Sequence, residues 1–421
     1  MSGDPRADVT AKAVWSHRWL YVAGACAIAV VAAAIAGLSG QFGKPSSAAV
    51  PPAPGPCRPG WSLTAGAIPA GDSGDSLTAI AGSSFYDLWA VGYRGPRTNQ
   101  NEYPLLEHWN GRRWAYSPGA PLGGQQAELT AVSASAWNDV WAVGDFPNRS
   151  GPLIEHWNGK SWSLQQTDAL ARWKATADDH FVSVAALAPN NVWVLGYSAS
   201  GATSPEQNLH WNGKSWHLFN GPNILSNGPN KPPTYGTQAM QILTTDRPGG
   251  VWAAGGTMVG GVGESAVPGK GVVEQWNGSQ WQVDGRYEWK KPLTALAPVA
   301  PDDVWAITGG SFGNYGVDPV EVLHSNGSAW KVAMGGATSV GLDGLVATSA
   351  DGAYLLGQNA HTMVIDHWDG TRWQSMPPGH VQAPSSKNGD TPSLTVTADG
   401  SIAALAPIGQ NDRALYLWLR C

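Results

Sequence analysis

Cysteine is scarce in this 421-residue chain, and so is charge. Its three cysteines are Cys26, Cys57 and Cys421, so none lies between 58 and 420, which excludes a copper centre that depends on a cross-linked Cys there. Charged residues make up only 13%, whereas long helical proteins are rich in Glu and Lys. The net charge of −6 is spread along the chain without a basic cluster, which argues against duplex nucleic acid as a partner.

The usual catalytic signatures are absent as well. The chain has no H-E-x-x-H, no Walker A motif and no dinucleotide fingerprint. We therefore predict no catalytic residue, no cofactor and no metal ligand from motifs. Gly (53 residues), Pro (31) and Trp (23) are abundant instead, and this composition favours a turn-rich β protein.

Residues 19–38 are twenty residues without a charge, long enough to cross a bilayer as one helix. Arg6, Lys12 and Arg18 precede them, which predicts that residues 1–18 are cytoplasmic and the rest extracytoplasmic. The alternative is a cleaved signal peptide and a secreted product, because Ala34-Ile35-Ala36 resembles a cleavage site. Residues 39–57, rich in Pro, Ala and Ser, are predicted to be an extended linker.

Residues 58–421 contain a repeat. An apolar strand such as LTAVSA, starting at 129, is followed by a short turn and a second strand such as DVWAVG, starting at 139. After a loop of variable length comes a hairpin motif, which occurs six times: LEHWNGRRW (106–114), IEHWNGKSW (154–162), LHWNGKSW (209–216), VEQWNGSQW (273–281), VLHSNGSAW (322–330) and IDHWDGTRW (365–373). Each unit therefore predicts four short antiparallel strands, which we name a, b, c and d.

The hairpin contains Asn-Gly between alternating strands, which is typical of a two-residue type I′ turn. With Asn158 and Gly159 as the central pair, Trp157 would pair with Lys160 and Glu155 with Trp162. Four-stranded units with Trp on strands b, c and d are typical of propeller blades, where flat rings fill the gap between neighbouring sheets.

The number of units predicts a seven-bladed, all-β propeller. Six units are complete by Trp373, and a seventh supplies strands a, b and c before Cys421. The stretch PGWSLTAG at 59–66 resembles strand d and would complete that last blade, closing the ring. Cys57 and Cys421 would then flank adjacent strands of one blade, so we expect a disulfide between them; in the chain-entropy model it contributes about 5 kcal/mol.

The pattern (S/A)-x-x-D-V-W-A-V-G … H-W-(N/D)-G-x-x-W resembles the repeat of bacterial secreted propellers grouped with kelch, galactose-oxidase-like or Asp-box-like propellers. The resemblance covers 58–421 and implies the fold. It leaves the activity open, since propellers host many activities. The double glycine of kelch repeats is single here at Gly144 and Gly196, with Gly255-Gly256 as the exception, and the box S-x-D-x-G-x-x-W is not intact.

The repeated polar residues are interpreted as architecture. Equivalent positions on neighbouring blades lie about 10 Å apart, so one ion cannot collect the strand-c histidines. These are His108, His156, His210, His324 and His367. Asp at the a–b turns, such as Asp139, is expected to hydrogen-bond its own backbone and hold the turn.

The long b–c loops and d–a links should emerge on one face of the propeller, where partners usually bind. Aromatic and basic residues stand together there and are the ligand-binding candidates: Tyr93, Arg172, Trp173, Arg286, Tyr287 and Trp289. We predict a monomeric binding or scaffold protein that presents this face to a cell-envelope glycan or protein. The alternatives are a hydrolase or lyase with its site at the channel mouth, and an assembly factor for other membrane proteins.

Overall fold

The computed structural model describes most of the C-terminal nine-tenths of the chain. The described residues are 62–65, 75–95, 102–146, 151–165, 179–198, 207–222, 236–259, 267–312, 315–335, 341–359, 362–376, 381–382, 393–397, 400–408 and 414–420. All belong to one compact unit, Ala48–Cys421; the other unit, Met1–Ser47, is outside them. The predicted membrane helix (19–38), the linker (39–57) and the predicted disulfide partners Cys57 and Cys421 also lie outside the described residues. Within those ranges no helix is long and apolar enough to cross a bilayer.

The described chain is all-β, and six of its sheets are built from consecutive antiparallel strands. Blade B consists of β2(Ser76–Ser84), β3(Asp87–Arg94), β4(Tyr103–Trp109) and β5(Trp114–Tyr116). Blade C consists of β6(Glu128–Ala136), β7(Asp139–Asp145), β8(Pro152–Trp157) and β9(Trp162–Leu164). Blade D consists of β10(Asp179–Ala188), β11(Asn191–Ser198), β12(Gln207–Trp211) and β13(Trp216–Asn220).

Blades E, F and G follow in the same way. They comprise β14(Gly236–Thr245), β15(Val251–Val259), β16(Val267–Trp276) and β17(Trp281–Val283); β18(Leu293–Ala300), β19(Asp303–Phe312), β20(Tyr315–Ser325) and β21(Trp330–Met334); and β22(Gly341–Ser349), β23(Gly352–Asn359), β24(Thr362–Trp368) and β25(Trp373–Ser375). A short strand, β26(Val381–Gln382), also pairs with β24 in blade G.

A further sheet is a composite of the two ends of the chain. It consists of β27(Ser393–Val396), β28(Ile402–Ile408), β29(Ala414–Arg420) and, beside β29, the N-terminal strand β1(Ser62–Ala65). The pairing of β1 with β29 agrees with the prediction. The predicted number of seven blades is corrected to six blades, each built from consecutive strands. The composite sheet lacks the hairpin motif and has Ala403 where the other blades carry an aromatic ring on strand b.

The hydrophobic core lies between sheets and is divided into separate clusters. Trp89, Val91 and Leu106 of blade B, for example, pack against Leu129 and Val140 of blade C, all at or near zero exposure. The composite sheet is packed in the same manner: Ala403 and Leu405 join a cluster with Leu77 and Ile80 of blade B, and Ile402 joins one with Tyr354 of blade G. Burying such rings and branched side chains is the main favourable term that holds sheets face to face.

The glycine that ends the strand-b motif follows from a bulge in the inner strand. Strand a of blade C has an extra residue between Leu129 and Ala131, which brings its backbone against strand b. A Cβ on Gly144 would lie 2.0 Å from the carbonyl oxygen of Glu128, and one on Gly92 would lie 2.0 Å from that of Ser76. Only glycine fits this close approach of the two backbones, so the glycine at the end of the strand-b motif indicates the bulge in strand a.

The hairpin turn differs from the predicted two-residue turn. Trp157 pairs with Trp162 across a four-residue turn, Asn158–Ser161. The side-chain oxygen Oδ1 of Asn158 accepts hydrogen bonds from the backbone N–H groups of Lys160 and Ser161 at 3.0 and 3.1 Å. Gly159 takes a positive φ of 89°. The Asn side chain thus satisfies the wider turn, and the paired indoles become neighbours on one side of the blade.

The two ends of each blade are distinct. The c–d turn touches the a–b turn, since a Cβ on Gly159 would lie 2.7 Å from the Cβ of Asn138. We call this end the short-turn face. The b–c loops and d–a links meet at the other end, where the N–H of Ala127, in the link between blades B and C, donates to the carbonyl of Glu102 before β4. We call it the long-loop face.

Candidate functional site

The strand-c histidines are structural, as interpreted from the sequence. In blade C, His156 stacks on Trp141 of strand b with ring centroids 4.1 Å apart. Its Nε2 hydrogen-bonds Asp139 Oδ1 at 2.8 Å. Blades B and F repeat both contacts through their equivalent residues, and in blade D an Asn takes the place of the Asp. In these four blades the histidine therefore bridges strand b and the a–b turn.

Asp139 does more than hold its own turn, which corrects the expected role of the turn aspartates. Its carboxylate accepts hydrogen bonds from Ser135, His156 and the indole N–H of Trp141. Burial acts to raise the pKa of Asp139, but these hydrogen bonds outweigh burial and lower it. Among the residues that the structure describes, no group of three or more His, Cys, Asp or Glu side chains could hold a metal ion.

Three ligand-binding candidates, Arg286, Tyr287 and Trp289, come together in the link between blades E and F. Trp289 is 4% exposed and meets the strand-d indole of Trp330 edge to face at 4.8 Å. Tyr287 is half-buried and packs on Trp289 at 4.7 Å. Blade F has Ser325 where the hairpin motifs of blades B to E carry Trp on strand c. The link therefore fills the space that a strand-c indole fills in those blades.

Arg286 takes over a hydrogen bond as well. In blade C the strand-c indole of Trp157 donates to the carbonyl of Trp137 in the a–b turn at 3.2 Å. In blade F, Nη1 of Arg286 donates to the equivalent carbonyl, of Pro301, at 2.9 Å. The guanidinium is held by Asp284, whose hydrogen bond raises the pKa of Arg286. These contacts of the link residues are all internal to the protein, and the role of the link residues in ligand binding stays a prediction.

The remaining candidates are elsewhere. Tyr93 is near the end of strand b in blade B and is 2% exposed, so it lies in a different blade from the E–F link. Arg172 and Trp173 lie outside the described residues. The structure therefore joins Arg286, Tyr287 and Trp289 in one cluster and does not bring Tyr93 to it.

A different aromatic and basic group is exposed next to Tyr93, at the long-loop face of blade B. Tyr103 is 46% exposed and Tyr116 is 43% exposed. Arg94 is paired with Tyr103 across strands b and c, and its Cζ lies 5.6 Å from the centroid of the Tyr116 ring. We call Arg94, Tyr103 and Tyr116 the arginine–tyrosine patch.

Asp75 fixes the position of Arg94 in the patch. This carboxylate, immediately before strand a, accepts a hydrogen bond from the N–H of Gly95 at 3.1 Å and lies 3.5 Å from Nε of Arg94. Strands a, b, c and d of one blade therefore each position one member of this site or its support. An arginine oriented by a carboxylate beside two accessible phenol rings suits a partner with a carboxylate or a flat polar face.

Sequence reasoning missed Tyr103 and Tyr116. The b–c loop of blade B, residues 93–104, begins with Tyr93, but alternation along strand b points that side chain inward. The signal that was available is register: the residue that pairs with Arg94 shares its side of the sheet, and Tyr116 shares the side of Trp109 through the paired indoles. Without the correct hairpin register this placement could not be deduced.

One buried acid also stands out. Glu155, on strand c of blade C, is fully buried between blades, where its Oε2 accepts the N–H of Ala120 at 2.9 Å. Its other oxygen, Oε1, has no hydrogen-bond partner. Burial raises the pKa of Glu155 to about 7, and the bond from Ala120 lowers it only in part. The carboxyl group fastens the link between blades B and C rather than facing solvent.

Comparisons with known proteins support the fold. Neither the protein-family models nor the curated proteins give a match. Among solved structures the chain is similar to YCF48 from Cyanidioschyzon merolae, with 15% identity and a TM-score of 0.54 over 85% of this chain and 98% of that one. It is similar to YCF48 bound to D1 peptide, with 16% identity and a TM-score of 0.51 over 87% and 97%. It is also similar to the polysaccharide lyase Uly1, with 10% identity and a TM-score of 0.50 over 84% and 90%. At these identities the similarities show an all-β propeller and nothing finer.

Proposed function

We propose that this protein is a membrane-anchored, extracytoplasmic binding propeller whose arginine–tyrosine patch receives a protein partner of the cell envelope. In this proposal the composite sheet serves as the seventh blade and closes the ring, and residues 19–38 anchor the chain. The observation that carries the proposal is the exposure of Tyr103 and Tyr116 close to Arg94, at the end of a blade whose other rings are mostly buried. Tyr and Arg are enriched in the centres of protein interfaces.

A protein partner is preferred to a glycan. Carbohydrate sites stack sugars on flat, accessible ring faces, whereas here the guanidinium of Arg94 lies over one ring of the pair, 5.6 Å from the centroid of Tyr116. A carboxylate on a peptide could instead bind Arg94 while its neighbours contact the phenols. The fold itself is compatible with peptide binding, because the YCF48 propeller has been captured with D1 peptide. A cell-envelope glycan stays the second outcome of the test.

The test places a photo-crosslinking residue at position 103 of the full chain in its native membrane. We expect a discrete crosslinked protein that is lost when unmodified chain competes and that falls at least tenfold with Tyr116→Ala, since interface tyrosines commonly contribute about 2 kcal/mol. The matched control carries the crosslinker at position 137, an exposed aromatic position on the short-turn face. Equal crosslinking from both positions, or crosslinking only to polysaccharide, would contradict the proposal.

A hydrolase or lyase is favoured by one observation only. At the long-loop end of blades C and D, Nδ1 of His180 lies 3.0 Å from Oδ2 of Asp145, and the histidine side chain is 39% exposed. A carboxylate that orients an accessible imidazole is the arrangement of a general base. If the protein cleaves envelope polymers, His180→Ala should abolish the activity while Tyr103→Ala leaves it unchanged; elemental analysis of the purified chain would reveal a bound divalent metal.

A further inference from the structure

The short-turn face of blades B to E carries a band of basic residues that the sequence does not show as a cluster. They are Arg112, Arg113, Lys160, Lys214 and Arg247, each exposed and each in an a–b or c–d turn. They are separated by 33 residues or more in sequence, apart from the first two. The repeat brings them together because equivalent turns of successive blades lie side by side. We call this band the short-turn rim.

No carboxylate neutralises the short-turn rim within the part of the chain that the structure describes. The acids of the same turns are buried: Asp87 is 5% exposed, Asp139 is 4% exposed and Asp246 is 4% exposed. Their hydrogen bonds run inward to serine, histidine, indole or backbone groups. None of the five basic side chains takes part in an ion pair among the described residues. The band ends at blade F, whose a–b turn carries the exposed Asp302.

Amphipathic rings alternate with these charges. Trp137, in the a–b turn of blade C, is 39% exposed and lies against the c–d turn at Gly159. The strand-c indoles Trp157 and Trp211 are half-buried beside it, with their N–H groups bonded to turn carbonyls. Indole rings and lysine or arginine side chains are the residues that favour the boundary between lipid headgroups and acyl chains.

The direction of the N-terminal strand points to the same face. β1 begins at Ser62, paired with Leu419 near the end of strand c, so it enters the composite sheet at the short-turn end. The sequence places 61 residues before it, including the predicted anchor at 19–38. The chain that follows the predicted anchor therefore joins the propeller at the short-turn end.

We propose that the short-turn rim docks on an anionic phospholipid surface. The charge band attracts the headgroups, and Trp137 enters the interface. The long-loop face, with the arginine–tyrosine patch, then points away from the bilayer toward envelope partners. This inference does not depend on the identity of that partner. A soluble polyanion is the rival ligand, but it would use the charges without the exposed indole.

The experiment uses the full chain in lipid nanodiscs made of phosphatidylcholine alone or of equal parts phosphatidylcholine and phosphatidylglycerol. A membrane-impermeant amine acylating reagent labels exposed lysines, and mass spectrometry follows each site. We expect Lys160 and Lys214 to be protected in the anionic discs at low salt and released at high salt. Lys270, exposed near the long-loop face and paired with Glu288, is the internal control and should label equally in both discs.

Substitution then tests the band itself. Arg112→Gln and Arg113→Gln, both at exposed positions, should each lower the docked-to-undocked ratio reported by Lys160 about fivefold, because one basic residue near an anionic surface contributes about that factor. Equal labelling in the two lipids would overturn the proposal, as would protection that includes Lys270. Protection by soluble dextran sulfate in phosphatidylcholine discs, equal to that by anionic lipid and unaffected by Trp137→Ser, would assign the rim to polyanions instead.

Discussion

Glu155 gives the sharpest prediction about stability. The carboxyl is buried with one oxygen bonded to the N–H of Ala120 and the other without a partner, so the folded protein favours its neutral form. Its pKa rises from 4.5 to about 7 on folding. Because the folded state binds this proton more tightly, the neutral carboxyl stabilises the fold fully below pH 4.5, and that stability is lost as the pH rises through about 7. At 1.36 kcal/mol for each pH unit between the two values, the loss amounts to about 3 kcal/mol.

The substitution Glu155→Gln isolates this loss. Glutamine keeps an oxygen for Ala120 and cannot ionise, so wild type and variant should be similarly stable at pH 5. At pH 8.5 the variant should be more stable by about 3 kcal/mol. Urea unfolding followed by tryptophan fluorescence between these pH values measures the difference. Glu288→Gln, at an exposed carboxylate, is the control and should follow the wild-type profile. Parallel curves for wild type and Glu155→Gln would refute the argument that the carboxyl is neutral when folded.

Three further changes test the packing. Asn208 is fully buried without a partner for either side-chain polar atom, at a position where blade C has Ile154. Asn208→Leu should therefore raise the free energy of unfolding by about 1 to 3 kcal/mol, and Ile154→Asn is the reverse control. A lower free energy of unfolding for Asn208→Leu would mean that bound water satisfies Asn208. Trp289→Ala should lower it by about 3 to 5 kcal/mol, well beyond the effect of Trp137→Ala; a stable variant that loses partner binding would return Trp289 to the ligand site. Gly144→Ala should cost more than about 2 kcal/mol because the new Cβ meets a carbonyl, whereas Gly285→Ala, with open space around it, should be close to neutral; equal urea midpoints would contradict the bulge argument.

The blade pattern was predictable because it depends on short-range signals. Alternation in LTAVSA and DVWAVG, and the indoles of HWNGxxW, each act within one strand or one hairpin, and six copies reinforce the same interpretation. The hairpin register was wrong because a type I′ turn and a wider turn share the same Asn-Gly signal. The side chain of Asn158, which bonds two backbone N–H groups, decides between them.

The site was harder to predict because it depends on which blade lies next to which. Arg286 and Trp289 have the composition of a binding loop, but Ser325, about forty residues later, leaves the space they occupy. Tyr103 and Tyr116 have the sequence context of ordinary strand residues, and their exposure follows from their position at the long-loop face of blade B. The short-turn rim arises from turns that are distant in sequence, so a search for consecutive basic residues misses it.

The blade E–F link fills the space that the missing strand-c tryptophan leaves at Ser325, and this arrangement has an evolutionary consequence. A chain that regains tryptophan at 325 has no room left for the rings of Tyr287 and Trp289, and one that loses the link exposes the indole of Trp330. Neither change is tolerable alone, so the two segments should be inherited as a unit. Across related propellers, position 325 and positions 286–289 are expected to covary, although no side chain in one segment performs chemistry for the other.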